Sequence, residues 1–300
     1  MSTVHTKPKV SIITLNWNGT DVTCSFLESS RNLLYPNYEI LVCDMNSLIN
    51  PQSQINAGHY PHTKVLVSSK NLGFAAGNNW GIKQASGDYF FIVNNDTELT
   101  PGIIDELLEP FYEDASIGVT CPKIKYFSHP DTIQYAGFEK MNMYTGRTHS
   151  IGDKQKDTGQ YNTPGYTNGA HGCAMMVKKE VIEKTGMFPG TFFLYYEEWD
   201  WSMRIMNAGY KIYYQPQAVI YHKESMSVGK DSTLKTYYLN RNRILFMRRN
   251  CSFPQLLIFS LFYSIFSFPK IIFHFIIQRK PALLKAYLKA VWWNLTHKST

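Results

Sequence analysis

An α/β fold with a mainly parallel central sheet flanked by helices, ending in a helical tail, is what this sequence predicts. Three observations carry the expectation. Short apolar runs alternate with helix-like segments through the first hundred residues, which argues strands joined by crossover helices. Those runs stop abruptly on polar residues, at Asn16, at Asp44 and at Asn94 to Asp96. Beyond residue 256 the alternation gives way to a long apolar stretch and then to a basic segment with helical spacing. Three hundred residues suffice for a sizeable core, as one large domain or two small ones.

Taken in order, Val10 to Leu15 reads as the first strand, and Asn16, Trp17, Asn18 and Gly19 end it in a loop. Asp21 to Leu33 places Val22, Phe26 and Leu33 at helical spacing, and Pro36 closes the unit. Glu39 to Cys43 is the second strand, ended by Asp44, and Val65 to Val67 the third. Gly73 and Gly77 suit a tightly turned loop that approaches a ligand. A helix follows from Asn78 to Ala85, a turn at Gly87 and Asp88, and a buried strand from Tyr89 to Val93. Gly118 to Cys121 resembles another strand, and residues 126–165 lack a clear period, as an irregular insertion over one sheet edge would. Ala174 to Lys178 reads as a strand, Glu180 to Thr185 as a short helix stopped by Gly186, and a strand pair ends at His222. Tyr237 to Arg249 has helical spacing of aromatic and basic residues.

Composition narrows the function classes. The five cysteines, Cys24, Cys43, Cys121, Cys173 and Cys251, are scattered and lack C-x-x-C spacing. Neither structural zinc nor a disulfide framework is expected, and a reducing cytoplasm fits. Met1 to Lys9 is polar and the first apolar run is only a strand long, so no signal peptide is expected at this start. The loop after the first strand lacks G-x-G-x-x-G, which argues against a dinucleotide-dependent dehydrogenase, and no P-loop is present.

Residues 71–97, NLGFAAGNNWGIKQASGDYFFIVNNDT, say the most about chemistry. Asn71, Gly73, Gly77 and Asn78 lie at a glycine-rich helix start whose N-terminus favours an anion. Asn94, Asn95 and Asp96 end the following strand, where open α/β sheets bind ligands. Asp96 offers an oxygen ligand suited to Mg or Mn. Asn16 and Trp17 occupy the corresponding end of the first strand, a natural nucleoside cradle. Glu197, Glu198 and Asp200 crowd three acids into four residues at a helix start, and like charges so close push their pKa values apart.

The stretch resembles the family 2 glycosyltransferases, the inverting sugar-nucleotide enzymes of GT-A fold, and most closely their rhamnosyltransferase-like branch. The shared pattern is N-x-G-F-A-x-G-x-N-x-G, then A-x-G-D, an apolar strand and N-x-D-T, here Asn71 to Gly81, Ala85 to Asp88 and Asn94 to Thr97. The resemblance runs from about Lys9 to about Arg249. It implies a nucleotide-diphosphate sugar donor, a glycan or lipid-linked acceptor and a divalent cation, Mg or Mn. It implies that Asn94, Asp96 and His222 face the metal and that Asp44 contacts the base or ribose. It places the NGAHGC segment with Gly172 beneath the transferred sugar. FFLYYEEWDW resembles the family's F-F-x-Y-x-E-D-x-D-L motif, which implies Glu198 as general base, with Glu197 in reserve because Glu stands where Asp is usual. Asp200 reads as structural, paired with Arg204 one turn on. A non-catalytic sugar-nucleotide-binding subunit of a polysaccharide assembly complex is the alternative function.

The expected division is a catalytic domain over residues 1–230 and a basic, apolar helical tail over residues 231–300. Residues 1–200 hold 15 Lys and Arg against 21 Asp and Glu, whereas residues 201–300 hold 15 against 2. Leu256 to Ile277 approaches the length of a bilayer span, but Pro269 and Lys270 interrupt it. A broken pair of helices lying at a membrane interface is expected, followed by a helix with Leu283, Leu284, Tyr287, Leu288, Val291 and Trp292 on one stripe and Lys280, Lys285 and Lys289 between. The implied partner is an anionic membrane surface, at the cytoplasmic face, and not nucleic acid, since basic residues alternate with bulky aliphatics. Packing of 256–295 on the catalytic domain or on a second copy of the chain is the other reading.

Overall fold

The computed structural model describes residues 7–223 and 232–298. The chain opens with β1 (Val10–Asn16), α1 (Thr20–Ser30), β2 (Tyr38–Asp44), α2 (Gln52–Ala57), β3 (Thr63–Val67), α3 (Gly73–Gln84) and β4 (Tyr89–Val93). It continues through β5 (Thr97–Leu99), α4 (Ile103–Glu113), β6 (Ile117–Tyr126), β7 (His129–Tyr135), β8 (Gly165–Thr167), β9 (Ala174–Lys178), α5 (Lys179–Thr185), α6 (Glu197–Asn207) and β10 (Lys211–His222). The last elements are α7 (Thr233–Asn250), α8 (Phe253–Phe262), a π-helical turn (Tyr263–Ser267), α9 (Phe268–Ile277) and α10 (Pro281–Thr296).

One sheet runs through the molecule in the order β3-β2-β1-β4-β9-β6-β10-β5, with β7 beside β6 and β8 beside β10. Its first half is parallel: β1 lies between β2 and β4, and β3 flanks β2. The strand β9 then runs antiparallel between β4 and β6, so the sheet is mixed beyond that point. β1, β2 and β4 are buried along nearly their whole length, as strands covered on both faces must be. The chain leaves β1 toward β2 and β3, then returns to the other side of β1 as β4. This reversal makes the carboxyl ends of β1 and β4 a topological switch point, with Asn16 at the end of β1 and Asp96 just past β4.

Four expectations need correction. The helix expected from Asn78 begins at Gly73, so Gly77 lies inside α3 and not in a ligand-cradling loop. A Cβ at Gly77 would meet Met45 Sδ at 2.8 Å and Leu15 Cδ1 at 3.1 Å, so this glycine lets the helix press against the sheet. The insertion of residues 126–165 is not wholly irregular: β7 pairs antiparallel with β6, and bridges Phe138↔Ser150 and Asn142↔Arg147 define a further arm. The strand pair expected before His222 is one strand, β10, whose register slips between Gln215 and Val219 to absorb Pro216. Finally, Pro269 does not break the tail. Phe253 to Ile277 is one helix of 25 residues, and the π-helical turn just ahead of Pro269 relieves the clash its ring would make in a regular α-helix.

The expected boundary near residue 230 falls among residues 224–231, outside the described ones. Past it, α7 is bonded to the loop that leads into α6. Asn242 Nδ2 donates to the carbonyls of Leu194 and Tyr195 at 2.8 Å each, and Arg241 donates to the Thr191 carbonyl at 2.7 Å.

Candidate active site

Asp96 follows β4 and points toward the end of β10. Its Oδ1 is buried without a hydrogen-bonded partner and lies 3.2 Å from His222 Nε2. The contact is an ion pair, not an aligned hydrogen bond. The His222 Nδ1 is held by Gln134 Oε1 at 2.8 Å, which turns Nε2 toward Asp96. Burial alone would lower the His222 pKa, but Cys173 and Asp96 beside it outweigh burial and raise it to about 11, so a cation bound here would have to displace that proton. Asn94 stands two residues before Asp96, and its backbone N–H donates to the Cys173 carbonyl at 2.9 Å.

A buried carboxylate oxygen with no hydrogen-bonded partner, facing a fixed imidazole nitrogen, suits a hard divalent cation. Among the described residues no group of three or more His, Cys, Asp or Glu is placed to hold a metal. Of the residues expected to face a metal, Asp96 and His222 are brought together here.

The acidic segment opens α6. Tyr195 and Tyr196 ahead of it both have φ of 71°, a left-handed backbone that costs energy for residues other than glycine. The two bonds from Asn242 to the 194 and 195 carbonyls hold this turn in place. It buries Glu197 and leaves Glu198 half-buried, and an Oε2 of each is enclosed without a partner. Burial raises the Glu197 carboxyl far above its usual range, and the neighbouring Glu198 charge adds to the effect. Burial also raises Glu198, but the backbone N–H groups of Glu198 and Tyr196 oppose it and leave the carboxyl at about 7. The two neighbouring acids therefore titrate as a pair, both raised by burial, so that together they hold and exchange a proton more readily than exposed carboxyls do. Asp200 accepts from Arg249 Nε at 2.8 Å, Asn250 at 2.9 Å and Arg204 Nε at 3.3 Å, and is structural as expected.

The glycine segment lies against these acids. A Cβ built on Gly172 would stand 3.8 Å from Glu198 Cδ and from Phe74 Cζ, so Gly172 borders the carboxylate. Gly169 is packed on Trp199, whose ring a Cβ would meet at 2.6 Å.

At the end of β1 the residues form a network. Asn16 is fully buried and donates through Nδ2 to Asp44 Oδ1 at 2.7 Å, while its Oδ1 accepts from Thr23. Asp44 Oδ1 also accepts from the Ser47 hydroxyl at 2.5 Å, and Oδ2 accepts from the Ser47 backbone N–H at 2.9 Å. Asn95 donates to Thr23 Oγ1 at 2.8 Å. Asn16 and Asp44 are therefore buried and tied to one another and to Ser47 at the carboxyl ends of β1 and β2. Trp17, 46% exposed, is the group of this cluster that is free to flank a base.

The remaining helix-start residues also serve the scaffold. Asn71 Oδ1 accepts from the Gly73 backbone N–H, and Asn78, also buried, donates to the Phe74 carbonyl. Gly73, with φ of +73°, lies against Phe193, whose carbonyl accepts from Phe74. The Phe74 N–H bond to the Phe193 carbonyl ties the start of α3 to the acid-bearing loop. Two groups that sequence reasoning missed are Gln134, inside the segment read as irregular, and Asn242, inside a helix read as basic tail.

A model of glycosyl transferase family 2 matches residues 11–186. The chain is 31% identical over 140 residues to the uncharacterized glycosyltransferase YwdF of Bacillus subtilis, covering 46% of this chain and 50% of that protein. It is 24% identical over 206 residues to an N-acetylglucosaminyl-diphospho-decaprenol L-rhamnosyltransferase of Mycobacterium tuberculosis, covering 60% of this chain and 64% of that protein. The chain thus spans less than two thirds of either relative. Among solved structures, the mannosyltransferase PcManGT of Pyrobaculum calidifontis, in complex with GDP-Man and Mn2+, is similar with a TM-score of 0.59 at 14% identity, covering 98% of this chain and 77% of that one. That likeness shows the fold, which is the GT-A arrangement the sequence implied.

Proposed function

The chain belongs to glycosyl transferase family 2, and from that premise we propose that it moves a sugar from a nucleotide-diphosphate donor to a hydroxyl of a glycan or lipid-linked glycan, with inversion. The observation that carries this reading is Glu198: a half-buried carboxylate, raised toward neutrality, with an unpartnered oxygen beside Gly172. A group so placed is a general base matched to its working pH. The acceptor hydroxyl oxygen attacks the anomeric carbon while its proton passes to Glu198. The bond from that carbon to the β-phosphate oxygen breaks on the opposite face, and the nucleoside diphosphate departs. Asp96 and His222, with Asn94, would hold a divalent cation, Mg or Mn, which when bound neutralises the departing diphosphate. Trp17 flanks the nucleoside above the floor made by Asn16, Asp44 and Ser47.

The setting we propose is polysaccharide assembly at the inner face of the cell membrane. The mycobacterial relative, an N-acetylglucosaminyl-diphospho-decaprenol L-rhamnosyltransferase, and the apolar C-terminal helices support it. The test is turnover by the purified protein of nucleotide sugars selected by thermal protection, read as release of nucleoside diphosphate in the presence of acceptor. Asp96→Ala should lose both turnover and metal-dependent nucleotide binding while remaining folded. Full turnover in that variant would overturn the metal site, and binding without turnover by the unaltered chain would favour the non-catalytic alternative.

A further inference from the structure

The C-terminal helices leave an exposed apolar surface that the catalytic reading does not use. The rod from Phe253 to Ile277 has 25 residues, or about 37 Å at 1.5 Å per residue. One side is covered. Phe259 and Tyr263 are buried, the Tyr263 hydroxyl lies 3.0 Å from that of Tyr287, and the rings of Phe268 and Phe275 pack on Tyr287. The rest is open: Leu257, Leu261, Ile265, Phe266, Phe273 and Ile276 are 52–67% exposed. On α10, Leu288, Trp292 and Leu295 are exposed as well. A soluble monomer rarely leaves so much contiguous apolar surface uncovered.

The charge pattern names the occupant. Residues 232–300 contain 11 Lys and Arg and no Asp or Glu. Exposed Lys270 borders an open apolar groove with Phe268, Ile272 and Ile276, and exposed Lys285 and Lys289 lie on α10. Two copies meeting on this face would bring cation against cation with no acid to pair them. An anionic lipid surface satisfies both the apolar side chains and the lysines.

The packing also decides the orientation. Asn294 on α10 donates to the Arg241 carbonyl at 2.9 Å, and Arg248 on α7 donates to the carbonyls of Asn294 at 2.7 Å and His297 at 2.8 Å. Tyr287, which meets the rod, is fully buried. A rod that crossed the bilayer as packed would drag α10 and the arginines of α7 into hydrocarbon, where such charges are expensive. We propose that α8, α9 and α10 form a platform lying in the plane of an anionic bilayer interface, with the open side of the rod among the upper acyl chains and the lysines at the headgroups. This rests on the membrane setting proposed above and adds the contacting face and its orientation.

The experiment uses the full chain carrying a single fluorophore on a cysteine placed at Leu257, Ile265 or Ile276, with the partly exposed Cys24 and Cys251 replaced by serine. Vesicles mix phosphatidylglycerol with phosphatidylcholine brominated at a shallow or a deep acyl position. All three sites should be quenched alike, and more by shallow than by deep bromine. High salt, or Lys285→Glu with Lys289→Glu, should weaken vesicle binding about tenfold or more. Binding with Ile265 quenched best by deep bromine and both ends by shallow would overturn the in-plane orientation while leaving the membrane setting intact. Failure of the labelled and unlabelled proteins to bind vesicles, with nucleotide-sugar turnover retained in solution, would overturn the platform and the membrane setting together.

Discussion

Replacing Glu198 by Gln should make the protein more stable and nearly inactive at once. The folded state holds the Glu198 proton up to about pH 7, against an ordinary value of 4.5. A group that binds its proton more tightly when folded contributes stability that is fully present below about pH 4.5 and lost as pH rises through about 7. The shift corresponds to about 3 kcal/mol at the alkaline limit, at 1.36 kcal/mol per pH unit. Gln keeps the shape and the acceptor oxygen for the N–H groups of Tyr196 and Glu198, but carries no charge to desolvate. It also removes the charge that helps hold Glu197 above its usual range, which acts in the same direction. The variant should therefore match the natural chain near pH 4.5 and gain about 1–3 kcal/mol by pH 8, while turnover falls about 10²- to 10⁴-fold. Urea unfolding of both proteins at a series of pH values, without metal or nucleotide, measures the difference. A variant that is less stable at pH 8, or whose stability difference does not change with pH, would refute the claim that Glu198 is a desolvated, near-neutral carboxyl.

Other substitutions separate positioning from contact. Gln134→Leu should weaken metal binding in the presence of nucleoside diphosphate by about 10- to 100-fold, because the His222 ring loses its anchor; unchanged Mn affinity would remove Gln134 from that role. Gly77→Ala should destabilise the fold by about 1–3 kcal/mol through contact with Met45 and Leu15, leaving donor affinity per folded molecule unchanged. A loss of donor affinity without a loss of stability would return Gly77 to the ligand. Asn242→Ala should free the carbonyls of Leu194 and Tyr195, cost about 1–3 kcal/mol and lower kcat more than it raises donor KM; a natural kcat would show that the turn holds its strain without Asn242.

What was legible in the sequence followed from periodicity and from abrupt strand ends. Val10 to Leu15, Glu39 to Cys43 and Tyr89 to Val93 are short, mostly apolar runs, and each is a buried strand of the parallel half-sheet. The strand ends at Asn16, Asp44 and Asp96 located the switch point for the same reason. Composition does not reveal which side chain faces the ligand and which braces its neighbour. Asn16 and Asp44 turned out to satisfy each other. Gly77 was read as a close approach to a ligand, and it is a close approach to β1 and the chain following β2. Long-range partners carry no local signal: Gln134 meets His222 across 88 residues and Asn242 meets Tyr195 across 47. Pro269 misled because a proline's effect depends on the turn before it, and here a π-helical turn accommodates the ring.

The central claim, single displacement at the anomeric carbon with Glu198 taking the acceptor proton, is tested most directly by the stereochemistry of the product. Proton NMR of a reaction followed from its first turnovers, with a donor of known anomeric configuration, reads the new linkage before any rearrangement. The account predicts the opposite configuration in the product and no covalent glycosyl-enzyme at Glu198 or Glu197. Retention of the donor's configuration, or a sugar trapped on either carboxylate, would contradict it.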